Sequence, residues 1–199
     1  MTSARRYVVA VSGPTGSGKT ALVKGLVARL GDACALHMDD YERMTRRPIG
    51  DVERWAERGA DFDELAVPLL DEHLRQLKGG QPVRDIAPRK YIVFETQFGR
   101  AHTPTGRLID LLIWIDVPLE LALARKLKAF AGDALSDANP RERLAWLDAY
   151  LGNYLALVRR LLVMQHERVR PQADLLLDGT GALQPMIARA REYVREQLP

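Results

Sequence analysis

The chain alternates short, almost continuously apolar runs with longer stretches in which leucines recur every three or four residues. The runs Tyr7-Val-Val-Ala-Val-Ser12, Tyr91-Ile-Val-Phe94 and Leu111-Leu-Ile-Trp-Ile115 have no polar face, the pattern of strands buried on both sides, and Ala33 to Met38 and Leu175 to Leu177 read as two further short strands. Lys19 to Leu30 predicts a helix with Leu22, Leu26 and Leu30 on one face and Gly31 as its stop signal. Leu65 to Lys78 predicts another, its face made of Leu65, Leu69, Leu70, Leu74 and Leu77, ended by Gly79-Gly80. Leu119 to Phe130 reads as helix and Gly132 to Pro140 as loop. Arg141 to Val169 reads as one long helix striped by Leu144, Leu147, Leu151, Leu155, Val158 and Leu162. Ala182 to Gln197 predicts a closing helix. Strands alternating with helices predict an α/β fold with a mainly parallel sheet. Ligands of such sheets sit beyond the carboxyl ends of the strands, so every polar residue after a strand is a site candidate. No repeat or long linker divides residues 1–199, and a single domain is expected.

Composition narrows the class without changing this picture. With 47% hydrophobic and 28% charged residues the chain can bury a substantial core. The single cysteine, Cys34, cannot make an intrachain disulfide, and no Cys/His cluster has zinc spacing. Nothing before Tyr7 has signal-peptide form, and no apolar stretch reaches the ~18 residues of a membrane span. A cytoplasmic protein with no membrane partner is the expectation. The net charge of +3, from 29 basic and 26 acidic residues, is too small and scattered to indicate nucleic-acid binding. Of those 29, 23 are arginine, which fits either genome composition or forked recognition of phosphates.

The candidate chemistry begins directly after the first strand. Gly13, Pro14, Thr15, Gly16, Ser17, Gly18, Lys19 and Thr20 match G-x-x-x-x-G-K-[ST] in full, with Ala21 adding the next amide. The glycines let the backbone wrap a phosphate, the helix start adds positive charge, Lys19 reaches the β and γ phosphates, and the Thr20 hydroxyl can ligate Mg²⁺. A strand before and a helix after are the required context, so a nucleoside-triphosphate site is expected. Asp39-Asp40 follows the second strand, where one carboxylate can take the proton of an attacking hydroxyl and the other can cap a helix. Glu95 follows the third strand, where it either holds a magnesium-bound water or is a solvated strand end. Asp116 ends the fourth and reads as a turn or cap residue.

This cradle, then Met38-Asp-Asp-Tyr41, Leu74-Arg-Gln-Leu-Lys-Gly79 with Pro82-Val83, Phe94-Glu95, Ile115 to Arg125, and Arg170-Pro-Gln-Ala-Asp174 resemble the uridine kinase and phosphoribulokinase family. The matching pieces run in order from about Tyr7 to Thr180. The resemblance implies a nucleoside-monophosphate-kinase-like P-loop fold: a parallel five-stranded sheet, flanking helices and a lid, here about residues 125–143. It implies ATP and Mg²⁺, Asp39 as catalytic base, Glu95 as a magnesium or substrate group, and Arg125 as a lid arginine on phosphate. The loop Asp178-Gly-Thr180 would lie near the adenine. Uridine kinase relatives are often oligomers, so self-association is compatible with it.

The chain also departs from that family. Its long hairpin, which carries a Tyr and a His that clamp the base, has only Arg84 to Val93 in its place, with Arg84 where the Tyr would be. The lid reads Arg125-Lys-Leu-Lys128, and Glu95 is followed by Thr96-Gln-Phe-Gly-Arg100-Ala-His102 instead of a glycine. On the acceptor side Asp39, Tyr41, Arg54, Arg84, Glu95 and Arg100 are the candidates. Arg46, Arg47 and Arg54 either face an anionic acceptor or form a solvated face. Arg100 suits an anion contact and a surface role equally. His102 reads as a solvated loop residue, Trp55 and Phe62 as core, Tyr150 and Tyr154 as packing, and Arg159-Arg160 and Arg168 to Arg170 as surface charge. The expected activity is transfer of the ATP γ-phosphate to a hydroxyl of a small molecule (nucleoside, sugar or sugar phosphate). The alternatives are a regulatory P-loop ATPase acting on a protein and, with less support, a tRNA prenyl transferase.

Overall fold

The computed structural model describes residues 5–41, 48–134 and 139–199. The strands are β1 (Tyr7–Ser12), β2 (Ala33–His37), β3 (Tyr91–Glu95), β4 (Leu111–Asp116) and β5 (Leu175–Asp178). The helices are α1 (Lys19–Leu30), α2 (Ile49–Glu57), α3 (Pro68–Lys78), α4 (Thr103–Gly106), α5 (Leu119–Ala134), α6 (Pro140–Asn153), α7 (Arg159–Val169) and α8 (Leu183–Gln197). All five strands are parallel, in the order β2-β3-β1-β4-β5. The chain starts in the middle of the sheet, runs out to one edge and returns past β1 to the other. Its order therefore reverses at β1, and the crevice beyond the carboxyl end of β1 is where such a sheet takes ligands.

Period-two alternation sends each strand's side chains to opposite faces. Val8 and Ala10 join Trp55, Leu70, Leu74, Leu77 and Val169 on the face covered by α2, α3 and α7. Tyr7, Val9 and Val11 join Leu22, Leu26, Ile187, Ala190 and Val194 under α1 and α8. Trp55 and Phe62 are core residues, as expected. The Trp55 indole donates to the Asp61 carbonyl at 2.9 Å, and Phe62 packs on Phe98 with ring centroids 4.6 Å apart. Tyr150 stacks on Trp146 and Tyr154 is buried, so both tyrosines pack.

Four elements differ from the sequence expectation. β3 runs on through Glu95, so that carboxylate ends its strand instead of following it, while β4 ends on Asp116 as expected. The helix predicted from Leu65 begins at Pro68, whose ring suits a first helical turn, after a 3₁₀ turn at Phe62–Glu64. α5 runs to Ala134, into the segment read as loop. The long helix is α6 and α7 joined by a π turn at Tyr154–Val158. That wider turn rotates α7 relative to α6, so leucines four apart on either side no longer share a face. Leu144 and Leu155 are 65% and 78% exposed, while Tyr154, Leu157, Gln165 and Val169 turn inward.

Candidate active site

The cradle forms because its backbone can do what other residues resist. Gly16 has φ +83°, and a Cβ there would sit 2.1 Å from the Ala122 carbonyl oxygen, because α5 packs directly on the loop. Gly18, at φ +96°, turns the chain into α1 and leaves that helix without a capping side chain. The first amides of α1, those of Lys19, Thr20 and Ala21, are thus left for an anion. The Lys19 ammonium donates to the carbonyls of Gly13 (2.9 Å) and Pro14 (3.1 Å), bracing the loop. Burial lowers the Lys19 pKa, opposed by the negative charges of Glu95 and Asp39 and helped by Lys126.

Glu95 comes to the cradle through the sheet. In register it lies level with Val11 on β1 and His37 on β2. One carboxylate oxygen accepts from the Thr20 hydroxyl at 2.9 Å, and the other meets His37 Nδ1 at 2.6 Å. A hydroxyl and a carboxylate side by side at a phosphate cradle are the donor set Mg²⁺ takes, since it prefers one or two protein oxygens completed by phosphate and water. Among the described residues no group of three or more His, Cys, Asp or Glu side chains could hold a metal ion.

Asp39 stands on a 3₁₀ turn, Met38–Asp40, at the carboxyl end of β2, and it is exposed to the crevice. Its carboxylate accepts from the Gln97 amide at 3.1 Å. Asp40 is exposed beside it. α7 reaches this place from the side. The buried Gln165 amide donates to the Gly13 carbonyl (3.2 Å) and to the Gln97 carbonyl (2.5 Å). A cavity of about 630 Å³ opens between α7 and the ends of β4 and β5, bordered by Pro14, His166 and Thr180. Asp116, at the end of β4, is held by Arg170 at 2.9 Å, a hydrogen bond that keeps its carboxyl below the usual range.

The structure thus brings Lys19, Thr20, Asp39 and Glu95 together at one end of the sheet. Other candidates are engaged elsewhere. Arg100 donates to the Gln172 and Asp110 carbonyls and to the Asp174 carboxylate, all at the amino ends of β4 and β5, the edge opposite the cradle. A substrate role for it is corrected to a clamp between strand entries. Arg54 lies exposed on α2 and pairs with Asp51 one turn away. The Tyr41 hydroxyl is taken by His73 Nδ1 at 2.8 Å, and the Arg84 guanidinium lies 5.3 Å from the Tyr41 ring centre. Burial raises the Tyr41 pKa. Arg84 sits at the tip of a two-residue turn closed by Val83 and Ile86, with φ +51°, a left-handed backbone that non-glycine residues seldom adopt. Arg125 donates to the carbonyls of Gly179 (2.6 Å) and Thr180 (3.2 Å), so in this structure it holds the loop after β5. Arg46, Arg47 and part of the expected lid lie outside the described residues.

His102 overturns its expectation. It is 1% exposed, with one ring nitrogen 2.8 Å from the Thr105 hydroxyl and the other 3.1 Å from the Leu65 carbonyl. Burial lowers its pKa below the ordinary 6.5, against the opposing pull of the Leu65 carbonyl and of Asp63 and Asp71. The unfolded chain then takes up a proton near pH 6.5 that the folded chain refuses. This contribution is complete above that pH and is lost as pH falls below it. Melting curves are expected to drop between about pH 7.5 and 5.5, and His102→Gln to remove part of that drop while melting lower at about pH 7.5. An unchanged pH dependence would contradict the assignment.

Three residues that bear on the site escaped the sequence reading: His37, Gln97 and Gln165. The first two carried a usable signal, since both adjoin strand carboxyl ends. Gln165 carried only an isolated amide in a helix.

No family model matches the chain. It is 23% identical to a uridine kinase of Clostridium botulinum, over 96% of this chain and 99% of that protein. It superposes with a TM-score of 0.58 on a protein provisionally assigned as a fructose transport system kinase from Silicibacter sp. TM1040, at 21% identity over 88% of this chain and 91% of that one. Shikimate kinase from Acinetobacter baumannii, solved with shikimate, gives a TM-score of 0.52 at 17% identity over 97% and 95%. These similarities bear out the P-loop kinase fold, the likeness to uridine kinases and the expected kind of enzyme, an ATP-dependent phosphotransferase acting on a small molecule.

Proposed function

We propose that this P-loop kinase moves the γ-phosphate of ATP to a hydroxyl of a sugar or sugar phosphate, with nucleosides as the less favoured acceptors. The observation that carries the reading is the exposed Asp39 carboxylate, oriented by Gln97, in the same crevice as the Lys19 ammonium. In this mechanism the amides of Gly16 and of Gly18 to Ala21, with the Lys19 ammonium, hold the triphosphate, and Asp39 receives the proton of the attacking hydroxyl. Thr20 and Glu95 would hold Mg²⁺, which when bound neutralises charge on the β and γ oxygens. Arg125 fixes the Gly179–Thr180 loop, which the family resemblance puts beside the adenine.

The acceptor class is supported by the turn at Val83–Ile86. Only the short Arg84–Val93 stretch, opening on this two-residue turn, stands where the family resemblance puts the hairpin that grips the base, and the Arg84 cation at the tip suits an anionic ligand. Release of ADP from ATP and Mg²⁺ is measured across nucleosides, hexoses, sugar phosphates and small hydroxy acids. Stimulation of at least about tenfold by a sugar or sugar phosphate, with phosphate found on the acceptor, is the expected result. Stimulation by a protein partner alone would replace this reading with the regulatory ATPase.

A further inference from the structure

Asp39 is exposed on a short turn, so something must fix the direction of its carboxylate for it to meet an acceptor hydroxyl in line with the γ-phosphate. The only hydrogen bond to that carboxylate among the described residues comes from Gln97, two residues past β3. Since a carboxylate only accepts, the Gln97 side chain must present its NH₂ end. The main chain of Gln97 is tied down as well. Its carbonyl accepts from Gln165 Nε2 at 2.5 Å and from the Ser12 hydroxyl at 3.3 Å.

Gln165 makes the link to the nucleotide. The same Nε2 donates to the Gly13 carbonyl, the oxygen to which Lys19 also donates. Gln165 is 6% exposed, and its own carbonyl oxygen is buried without a partner. An apolar residue would leave no orphaned acceptor there, so the amide is kept for its two donations. The connection therefore runs Lys19, Gly13 carbonyl, Gln165, Gln97, Asp39: from the group that senses the γ-phosphate to the group that takes the acceptor's proton.

We propose that Gln97 is a positioning residue for Asp39, and that Gln165 ties both to the phosphate cradle so that base and nucleotide keep one geometry. This rests on the reading of Asp39 as base. The reaction rate depends steeply on such alignment, because a misplaced base loses the in-line arrangement while the nucleotide still binds. The effect belongs in turnover and not in ATP affinity.

The test is a double-mutant cycle on the full chain. The rate read is ADP release from ATP and Mg²⁺ with the acceptor that stimulates it most, or with water where none does. Gln97→Leu is expected to lower kcat about tenfold with the KM for ATP within twofold. Gln97→Glu, which sets a second carboxylate against Asp39, is expected to be worse, and Gln97→Asn to keep part of the rate. In an Asp39→Asn background Gln97→Leu is expected to add less than about twofold. The side-chain amide signal of Gln97 in ¹⁵N-labelled protein should move on Asp39→Asn and on Gln165→Leu, and melting curves verify that each variant is folded. A full tenfold loss in the Asp39→Asn background, or undiminished turnover in Gln97→Leu while Asp39→Asn is impaired, would overturn the proposal alone. Undiminished turnover in Asp39→Asn would overturn the base reading and this proposal with it.

Discussion

Asp39→Asn is expected to lower turnover at least about 100-fold, the usual scale of a lost general base, while ATP binds as well as before or more tightly. The sign for ATP comes from the charges. Asp39 makes no hydrogen bond to the cradle, and its negative charge lies within the field of Lys19, the group proposed to hold the triphosphate. Neutralising it removes a repulsion toward ATP and nothing that holds ATP. The substituted side-chain amide can still hydrogen-bond the acceptor hydroxyl, so acceptor KM should change by only a fewfold. Steady-state kinetics in ATP and in the stimulating acceptor separate the three quantities. Loss of ATP affinity together with turnover would mean that Asp39 serves the nucleotide and not the acceptor.

How much of the site was legible in the sequence depends on how far each interaction reaches along the chain. The cradle is local. Gly13 to Thr20 lies between an apolar run and a leucine-striped helix, and each of its special conformations falls on a glycine. The carboxylates were legible for a topological reason: in a parallel sheet every strand delivers its end to the same edge, so Asp39 and Glu95 converge whatever the details between them. The failures belong to contacts made across long separations. Arg100 and His102 also follow β3, and the end-of-strand rule admitted them. The 3₁₀ turn at Gly99–Ala101 carries Arg100 to carbonyls preceding β4 and β5, and buries His102 against Leu65. Gln165 reaches Gly13, 152 positions away, and nothing in its neighbourhood announces that. The leucine stripe failed because a π turn cannot be read from spacing that assumes about 3.6 residues per turn.

Lys19 is the position where function and stability should part most clearly. Lys19→Met is expected to reduce ATP turnover at least about 100-fold, since the ammonium proposed to hold the β and γ phosphates is gone. The stability of the nucleotide-free protein should nevertheless stay the same or rise. The ammonium is held where burial pushes its pKa down, and its two bonds to the Gly13 and Pro14 carbonyls only partly replace water. Methionine keeps the apolar stem and removes the poorly solvated charge. The two expectations are read in one experiment, thermal melting with and without ATP and Mg²⁺. Wild type should gain several degrees from ATP by mass action, and Lys19→Met should start at or above the wild-type melting point and gain much less. A variant that melts several degrees below wild type without nucleotide would show that Lys19 is a structural tie of the loop. In that case the loss of turnover would report a collapsed cradle and not a missing charge.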